Sequence, residues 1–413
     1  MSREYVNKIM LAGVLIFVAW VSFAPDPVHC SYGGMFKIAL FGLLALSLSA
    51  RRFDAAGYFI NKNEFFWIYL VLFSFNIWFA SDRFAAYEYY SDFVLTAAPI
   101  YFLITNEIKK IDIKKALYGL CVCAGAVSVI GFFEMLLKTN FIYERFAENY
   151  YYGRFIVQGR MMSTFTHPNI LGSYLIMCVP PAYYFYRSEY RRGIRHVNLA
   201  IFALICSAVF LTFSRGTWIA GLLMVSVWLL FRRRYGRLVF IWIAFFLLIA
   251  FLSSPFISGN VRYRFGMPYL WEYLRDSHRT NAYFVTYNML KDHPFVGIGL
   301  GNYRQLFGVY SNVQFPFEVM IPDSVYLMHL AEAGLIGFAG FLIFLGNLLR
   351  KCLAYLKKND KGMFFAVFMG FTGMLFNMAS YDMFMWKAPF NLYWFFAAVL
   401  AGTAMSQDKS RAC

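Results

Sequence analysis

Long apolar runs recur along almost the whole chain, and this repetition most constrains how the chain can fold. About 20 apolar residues suffice to cross a bilayer as a helix, and a helix satisfies its own backbone hydrogen bonds in lipid. Runs of spanning or near-spanning length occur at residues 6–24, 33–50, 65–80, 88–105, 115–137, 168–186, 197–213, 216–231, 238–254, 325–349, 362–380 and 388–405. The fourth run is the weakest, because Glu88 and Asp92 shorten its apolar part. The sequence therefore predicts an all-α integral membrane protein with about twelve transmembrane helices.

Charged residues are few and unevenly placed. Hydrophobic residues make up 60% of the chain and charged residues 15%, a balance that a soluble domain could not bury. The net charge of +16 comes largely from basic groups in alternate connections, such as 232–234. The positive-inside rule then places both termini in the cytoplasm. We expect the protein in the plasma (inner) membrane. No basic cluster forms a continuous soluble face, so we predict membrane lipid and no nucleic acid as partner.

One integrated membrane domain, residues 1–413, is the simplest organisation, because no internal repeat or low-complexity tract divides the chain. The charge pattern places residues 138–167, 214–216, 255–322 and 381–387 outside the cytoplasm. The longest of these, 255–322, is an extracytoplasmic loop between the ninth and tenth predicted spans. It gathers charged, aromatic and glycine residues, so we expect any chemistry to take place at this face.

Within the long loop, residues 280–290 are predicted to form an amphipathic helix along the membrane surface. Tyr283, Phe284 and Tyr287 recur there at three- and four-residue spacing. The glycine-rich run 297–301 follows. Three glycines in five residues would weaken a regular element, so this run is predicted to be a turn or closely packed backbone.

Two arginines are the main candidates for binding an anion. Arg215 lies in the short hairpin turn TFSRGTW, and Arg279 begins the amphipathic helix. The planar guanidinium binds two phosphate oxygens at once, so the two together could hold a pyrophosphate leaving group. Each has a plainer alternative: Arg215 could anchor to lipid headgroups and Arg279 could be a solvated loop residue. Arg160 is a third candidate, or a solvated residue of the outer face.

Several acidic residues lie near the predicted outer face. Asp323 either caps the tenth span or acts as a general base on an acceptor hydroxyl. Glu332 lies inside that span, and a lone buried charge is costly, so an arginine partner is expected. Asp382 and Lys387 in the last outer loop are predicted to pair with each other. The remaining histidines and aspartates show no metal-ligand spacing, so neither a metal nor a cofactor is predicted.

Three segments together resemble a known family. The hairpin TFSRGTW resembles the SRG hairpin of the O-antigen ligase and polymerase superfamily. The stretch HRTNAYFVTYNMLKDHPFVGIGLGNY resembles that family's arginine-led helix and its glycine-rich D-x-P motif. DSVYLMHLAEAGLIG resembles its closing helix. Order, spacing and predicted topology agree, and the resemblance covers most of the chain.

The resemblance implies a metal-independent glycosyltransferase that moves a glycan from a polyprenyl diphosphate to an acceptor hydroxyl of a glycan or lipid at the outer face. Arg215 and Arg279 are then the diphosphate candidates, and Asp323 is the candidate catalytic base. Asp323 and Ser324 stand where the family's ligases carry histidine and asparagine, which favours a polymerase of surface-polysaccharide repeat units. Four further residues are expected to bind substrate: Arg160, Tyr303, Arg304 and Glu332. Tyr269, Trp271 and Tyr303 are predicted to stack on sugar faces, or to anchor at the membrane interface.

Other functions remain open. One is the ligase that joins O-antigen to lipid A–core. Another is a transporter of lipid-linked glycans, for which twelve spans with cytoplasmic termini suit equally well. Transporters commonly contain repeated halves and midplane sites, whereas here the halves differ and the polar residues cluster at one face. A third is a scaffold within a polysaccharide-assembly complex, for which Arg215→Ala would leave product formation intact.

Overall fold

The computed structural model describes residues 3–24, 26–50, 63–109, 111–140, 159–252, 278–312, 321–358 and 362–408. These ranges contain fourteen α-helices and no β-strand. In chain order the helices are α1 (Arg3–Phe23), α2 (Asp26–Ala50), α3 (Glu64–Ser74), α4 (Arg83–Glu107), α5 (Ile113–Leu137), α6 (Pro168–Ser188), α7 (Arg192–Leu211), α8 (Arg215–Phe231), α9 (Tyr235–Leu252), α10 (His278–Asp292), α11 (Tyr303–Tyr310), α12 (Val325–Lys358), α13 (Met363–Asn377) and α14 (Lys387–Asp408). Short 3-10 turns occupy Phe75–Trp78 and Met383–Met385.

Each of the twelve predicted apolar runs overlaps one of these helices, and α10 and α11 belong to the predicted long loop. Among the described residues, α5, α7, α12 and most of α14 are long and apolar enough to cross a membrane, and six further apolar helical segments are shorter. The all-helical class is confirmed, and the apolar helices are consistent with a membrane protein. The count of twelve crossings stays a prediction. Residues 255–277 and 313–320 of the predicted loop, and the last two residues of the ninth predicted span, lie outside the described residues.

Helix α14 is the centre of the fold. In its most apolar stretch 94% of the residues are buried, against 17% for α7, so α14 is enclosed by protein and α7 lies at the periphery. The fully buried Trp394 packs against the rings of Tyr69, Phe66 and Phe344. Lipid tails are as apolar as these side chains, so close packing of this kind is what holds helices together in a membrane.

Asp92 explains how the weakest predicted span tolerates charge. Its carboxylate contacts the ammonium groups of Lys37 in α2 and Lys387 at the start of α14. A charge buried beside opposite charges is far less costly than a lone one. The predicted pairing of Lys387 with Asp382 is therefore wrong, because α4 brings Asp92 to the lysine instead.

A second, smaller hydrophobic cluster fixes α10 and α11 to α12. Its members come from α10, α11, the glycine-rich run, the segment before α12 and the beginning of α12: Val285, Met289, Ile298, Tyr303, Phe307, Ile321, Met328 and Ala331. The face of α10 that packs on protein therefore differs from the face that carries the aromatic residues. Tyr283, Phe284 and Tyr287 are all exposed.

Candidate active site

Helix α12 is broken at Gly334, and the glycine-rich run fills the break. Gly334 has φ 61° and ψ −168°, which is not helical. Gly297 also has a positive φ, and a Cβ on either glycine would overlap the backbone of the other segment. Four backbone hydrogen bonds of 2.9–3.0 Å join the segments: Ile298 N–H to Ala331 O, Gly299 N–H to Glu332 O, Leu335 N–H to Pro294 O, and Ile336 N–H to Phe295 O. The glycines therefore allow the two backbones to approach closely. The backbone N–H and C=O groups that the break releases are hydrogen-bonded to the glycine-rich run and the residues just before it.

Glu332 fastens the start of α11 to this break. Its side chain is 3% exposed and accepts hydrogen bonds from the backbone N–H groups of Tyr303, at 3.2 Å, and Gly301. Its expected arginine partner is thus replaced by backbone donors, which satisfy a buried carboxylate without a counter-charge. Arg304 follows Tyr303 in α11, so the hydrogen bond from Tyr303 N–H to Glu332 also fixes the backbone position of Arg304.

Arg279 and Asp323 come together. In the first turn of α10, Arg279 Nε donates to Asp323 Oδ2 at 2.7 Å. The N-terminus of α12 is capped by its neighbour Ser324, whose Oγ lies 3.4 Å from Leu327 N. The carboxylate of Asp323 is therefore directed at a guanidinium, and the helix-cap alternative belongs to Ser324. A charge-assisted contact of this kind is stronger than a neutral hydrogen bond.

A second carboxylate, which the sequence reasoning did not assign to the site, lies within electrostatic range of Asp323. Asp382 is 2% exposed, its carboxyl accepts the Phe384 N–H, and its Oδ2 has no hydrogen-bond partner in the described part of the chain. Asp323 and Arg304 are its charged neighbours. Burial raises the pKa of Asp382 to about 7. Asp323 acts in the same direction, while the Phe384 N–H and Arg304 act against it.

The SRG hairpin abuts the segment between α13 and α14, which contains Asp382. Arg215 is the first residue of α8, whose N-cap is Ser214. A Cβ on Gly216 would overlap the side chain of Ser380, so the hairpin lies directly against the segment that leads to Asp382. Val325, two residues after Asp323, donates its N–H to Met378 O at 2.9 Å. The elements that carry Arg215 and Asp323 thus both pack on residues 378–382.

Arg160 is buried, at 3% exposure, so the alternative that it is a solvated residue of the outer face is wrong. Its Nε donates to Thr212 O and its NH2 group to Asn169 Oδ1, both at 3.0 Å. These contacts place Arg160 beside the SRG hairpin. The chain folds this way because α7 ends at Leu211 and presents the Thr212 carbonyl to it.

Glu134 in α5 holds the segment that follows Arg160, and the sequence reasoning missed it. Its carboxylate accepts the backbone N–H groups of Met162 and Ser163. The signal was present, because an acidic residue inside an apolar span usually has a partner or a function. Met161 N–H also bonds Leu211 O at 2.9 Å, which ties this segment to the end of α7.

Tyr303 packs α11 onto α10 and has no exposed ring face for a sugar. It is fully buried, and its hydroxyl donates to Ala282 O at 3.1 Å and lies 3.0 Å from Thr286 Oγ1. The predicted stacking role of Tyr303 is therefore wrong in this arrangement. Tyr269 and Trp271 lie outside the described residues.

Comparison with known families agrees with the three motifs. Residues 200–342 match the model of a family described as O-antigen ligase. No curated protein matches the chain. The matched segment belongs to the O-antigen ligase and polymerase superfamily, whose members are glycosyltransferase-like membrane enzymes acting on lipid-linked glycans and their acceptors. It contains Arg215, Arg279, Arg304, Asp323 and Glu332, whereas Arg160, Glu134 and Asp382 lie outside it.

Proposed function

We propose that this chain is an inverting, metal-independent glycosyltransferase. It moves a polyprenyl-diphosphate-linked glycan to an acceptor hydroxyl at the outer membrane face and polymerises surface-polysaccharide repeat units. The observation that carries the proposal is the contact between Arg279 and Asp323, with the buried Asp382 within electrostatic range of Asp323. An anion-binding group and two carboxylates thus lie in one part of a chain whose residues 200–342 match a family that acts on lipid-linked glycans.

The contact between Arg279 and Asp323 suggests how donor binding prepares the reaction. A diphosphate offers a guanidinium more oxygen acceptors and more negative charge than one carboxylate does. When the donor takes Arg279, the contact between Arg279 and Asp323 is given up, and the Asp323 carboxylate becomes a better proton acceptor. Arg215, at the neighbouring hairpin, supplies the second cation for the diphosphate. Binding and base release are then a single event.

The transfer step follows from this arrangement. The acceptor oxygen attacks the anomeric carbon, its proton passes to Asp323, and a new C–O bond forms. The bond between the anomeric carbon and the diphosphate breaks on the opposite side, and its electron pair leaves with the diphosphate oxygen. Arg215 and Arg279 stabilise that developing charge. A positioned base of this kind contributes roughly 10²–10⁴-fold to the rate.

Asp323 also favours polymerisation over ligation. The ligases that this chain resembles carry histidine at this place, followed by asparagine, whereas this chain carries Asp323 and Ser324. Since a carboxylate accepts a proton as histidine does, the chemistry is kept while the motif departs from the ligase pattern.

Reconstitution with lipid-linked repeat units tests the proposal. Purified protein in liposomes should convert them into a ladder of products on a gel, whereas a ligase would make a single transfer to lipid A–core. Arg279→Gln should abolish the ladder. Lys291→Gln, which removes an exposed cation from the far end of the same helix, should preserve it. Unchanged transfer after both Arg215 and Arg279 are replaced by glutamine would overturn the proposal.

A further inference from the structure

Two connections, one between α6 and α7 and one between α8 and α9, are rich in arginine. Residues 187–196 and residues 232–237 contain four arginines each, with Glu189 as the one acidic residue and no lysine in either stretch. Glu189 is paired with Arg191, at 3.1 Å. The charge pattern predicts that both stretches face the cytoplasm, but lysine would satisfy that pattern as well as arginine. The use of arginine is therefore a separate feature, because arginine, unlike lysine, binds two phosphate oxygens with one planar group.

Aromatic packing between α6, α7 and α8 brings the two connections together. The ring of Tyr183 in α6 lies 5.5 Å from the ring of Phe202 in α7 and 6.3 Å from the ring of Trp228 in α8. Tyr183 is nevertheless 37% exposed, and the other two side chains are half-buried. These three rings, which we call the aromatic floor, therefore form an apolar surface that a ligand can reach.

Three arginines, which we call the arginine rim, lie next to this floor. Arg187 and Arg232 each follow a ring of the floor by four residues, so each lies on the same helix face as that ring and about 6 Å further along the axis. Arg195 reaches the floor from α7, because its guanidinium carbon lies 5.3 Å from the centre of the Tyr186 ring, which is 6.3 Å from the ring of Tyr183. All three arginines are exposed, and in the described part of the chain none of them has an ion-pair partner.

The rim and the floor together indicate the chemistry of a ligand. An anion fits the rim, and an apolar chain that continues from the anion for one helical turn or more fits the floor. Helix α7 is long and apolar enough to cross a membrane, so its arginine-bearing end belongs at the level of the lipid headgroups and the floor at the level of the acyl chains. An acidic protein segment or a free phosphate ester would match the rim and leave the floor uncovered.

We propose that the arginine rim binds the phosphate of an anionic phospholipid in the cytoplasmic leaflet, with an acyl chain of that lipid on the aromatic floor. Eight arginines against one glutamate favour a headgroup with a net negative charge over a zwitterionic one. Helices α7 and α8 form the hairpin whose closed end carries Arg215. The bound lipid therefore holds the open end of the same hairpin.

Lipid-dependent thermal stability of the full-length protein in detergent tests this proposal. Phosphatidylglycerol should raise the melting temperature of the wild type more than phosphatidylcholine, whose headgroup is zwitterionic. The triple variant Arg187→Lys, Arg195→Lys and Arg232→Lys keeps every charge but loses the paired hydrogen bonds, so it should bind phosphatidylglycerol about tenfold more weakly. The double variant Lys357→Gln and Lys358→Gln removes two exposed charges from the end of α12 and should bind as the wild type does.

Three outcomes contradict the proposal. Undiminished phosphatidylglycerol binding by the triple variant would show that general charge attraction, and not the arginine rim, holds the lipid. A shift produced equally by soluble glycerol phosphate would show that a phosphate ester without an acyl chain is the ligand. An equal shift with soluble polyglutamate would identify an acidic protein segment as the partner. Each single arginine-to-lysine variant should weaken binding by a smaller factor, which provides the same test if the triple variant does not fold.

Discussion

Two buried glutamates, Glu134 in α5 and Glu332 in α12, each hold another segment of the chain by the same chemistry. Each accepts two backbone N–H groups, and each segment carries an arginine of the candidate site, Arg160 or Arg304. The surroundings differ. Glu134 belongs to an uninterrupted helix, whereas Glu332 lies two residues before the break at Gly334. Glu134 therefore holds only the segment around Met162, whereas Glu332 joins the start of α11 to the broken helix α12.

Gly334→Ala should have the largest effect on stability. An alanine at φ 61° is strained, and its Cβ would overlap the Gly297 backbone, so we expect a loss of about 3 kcal/mol or more. Gly346→Ala in the same helix is the control, because nothing lies within 4 Å of the added Cβ. It should be neutral or stabilising by up to about 1 kcal/mol. Equal melting temperatures for the two variants would contradict the account of the break.

Alanine replacements at the two glutamates come next. Each leaves two buried N–H groups without an acceptor, so we expect a loss of about 2–5 kcal/mol. Glu332→Ala should lower the melting temperature more than Glu134→Ala. The Glu332 carboxylate holds Gly301 and Tyr303, which follow directly on the glycine-rich run that fills the break in α12. Glutamine keeps one oxygen acceptor and should cost less at either position. A glutamine variant as damaged as the alanine variant would show that charge, not hydrogen bonding, holds the segment.

The Asp382 carboxyl should make stability depend on pH. Its pKa is raised by burial to about 7 from 3.8. Its contribution is therefore complete below about pH 4 and is lost as the pH rises through 7. The wild type should lose about 2–4 kcal/mol relative to Asp382→Asn between pH 4 and 7. Melting curves of both proteins across this range provide the measurement, and parallel curves would exclude a raised pKa.

Gly216→Ala should have a smaller effect that a second substitution relieves. The added Cβ meets Ser380, and we expect a cost of about 1–3 kcal/mol. Ser380→Gly removes the obstructing atoms, so the double variant should be more stable than Gly216→Ala alone. A double-mutant cycle of melting temperatures measures the coupling. Additive effects would mean that the hairpin and the outer segment do not abut.

Sequence patterns predicted the positions of the helices better than the contacts between them. The apolar runs located the helices, and the run 168–186 begins at Pro168, where α6 begins. The glycine-rich run was predicted to be closely packed backbone, as it is. Its partner, the break at Gly334, was not predicted, because one glycine in an apolar helix usually leaves that helix intact.

The candidate site was predicted only in part for a similar reason. Arg279 and Asp323 were both named from the motifs, but their contact joins residues 44 positions apart and leaves no local pattern. Asp382 was assigned to Lys387 because the two are neighbours in sequence. Its actual surroundings, Asp323 and Arg304, come from tertiary packing of α11, α12 and the last outer segment.

The pH dependence of glycan transfer by Asp323 variants tests the central claim most directly. In liposomes with lipid-linked repeat units, Asp323→Asn should lower the transfer rate by roughly 10²–10⁴-fold, because the amide cannot accept the acceptor's proton. Asp323→His should retain transfer and lose it below about pH 6.5, where histidine becomes protonated. A transfer rate of Asp323→Asn equal to that of the wild type would contradict the assignment of Asp323 as the base. So would an Asp323→His variant whose transfer shows the pH profile of the wild type.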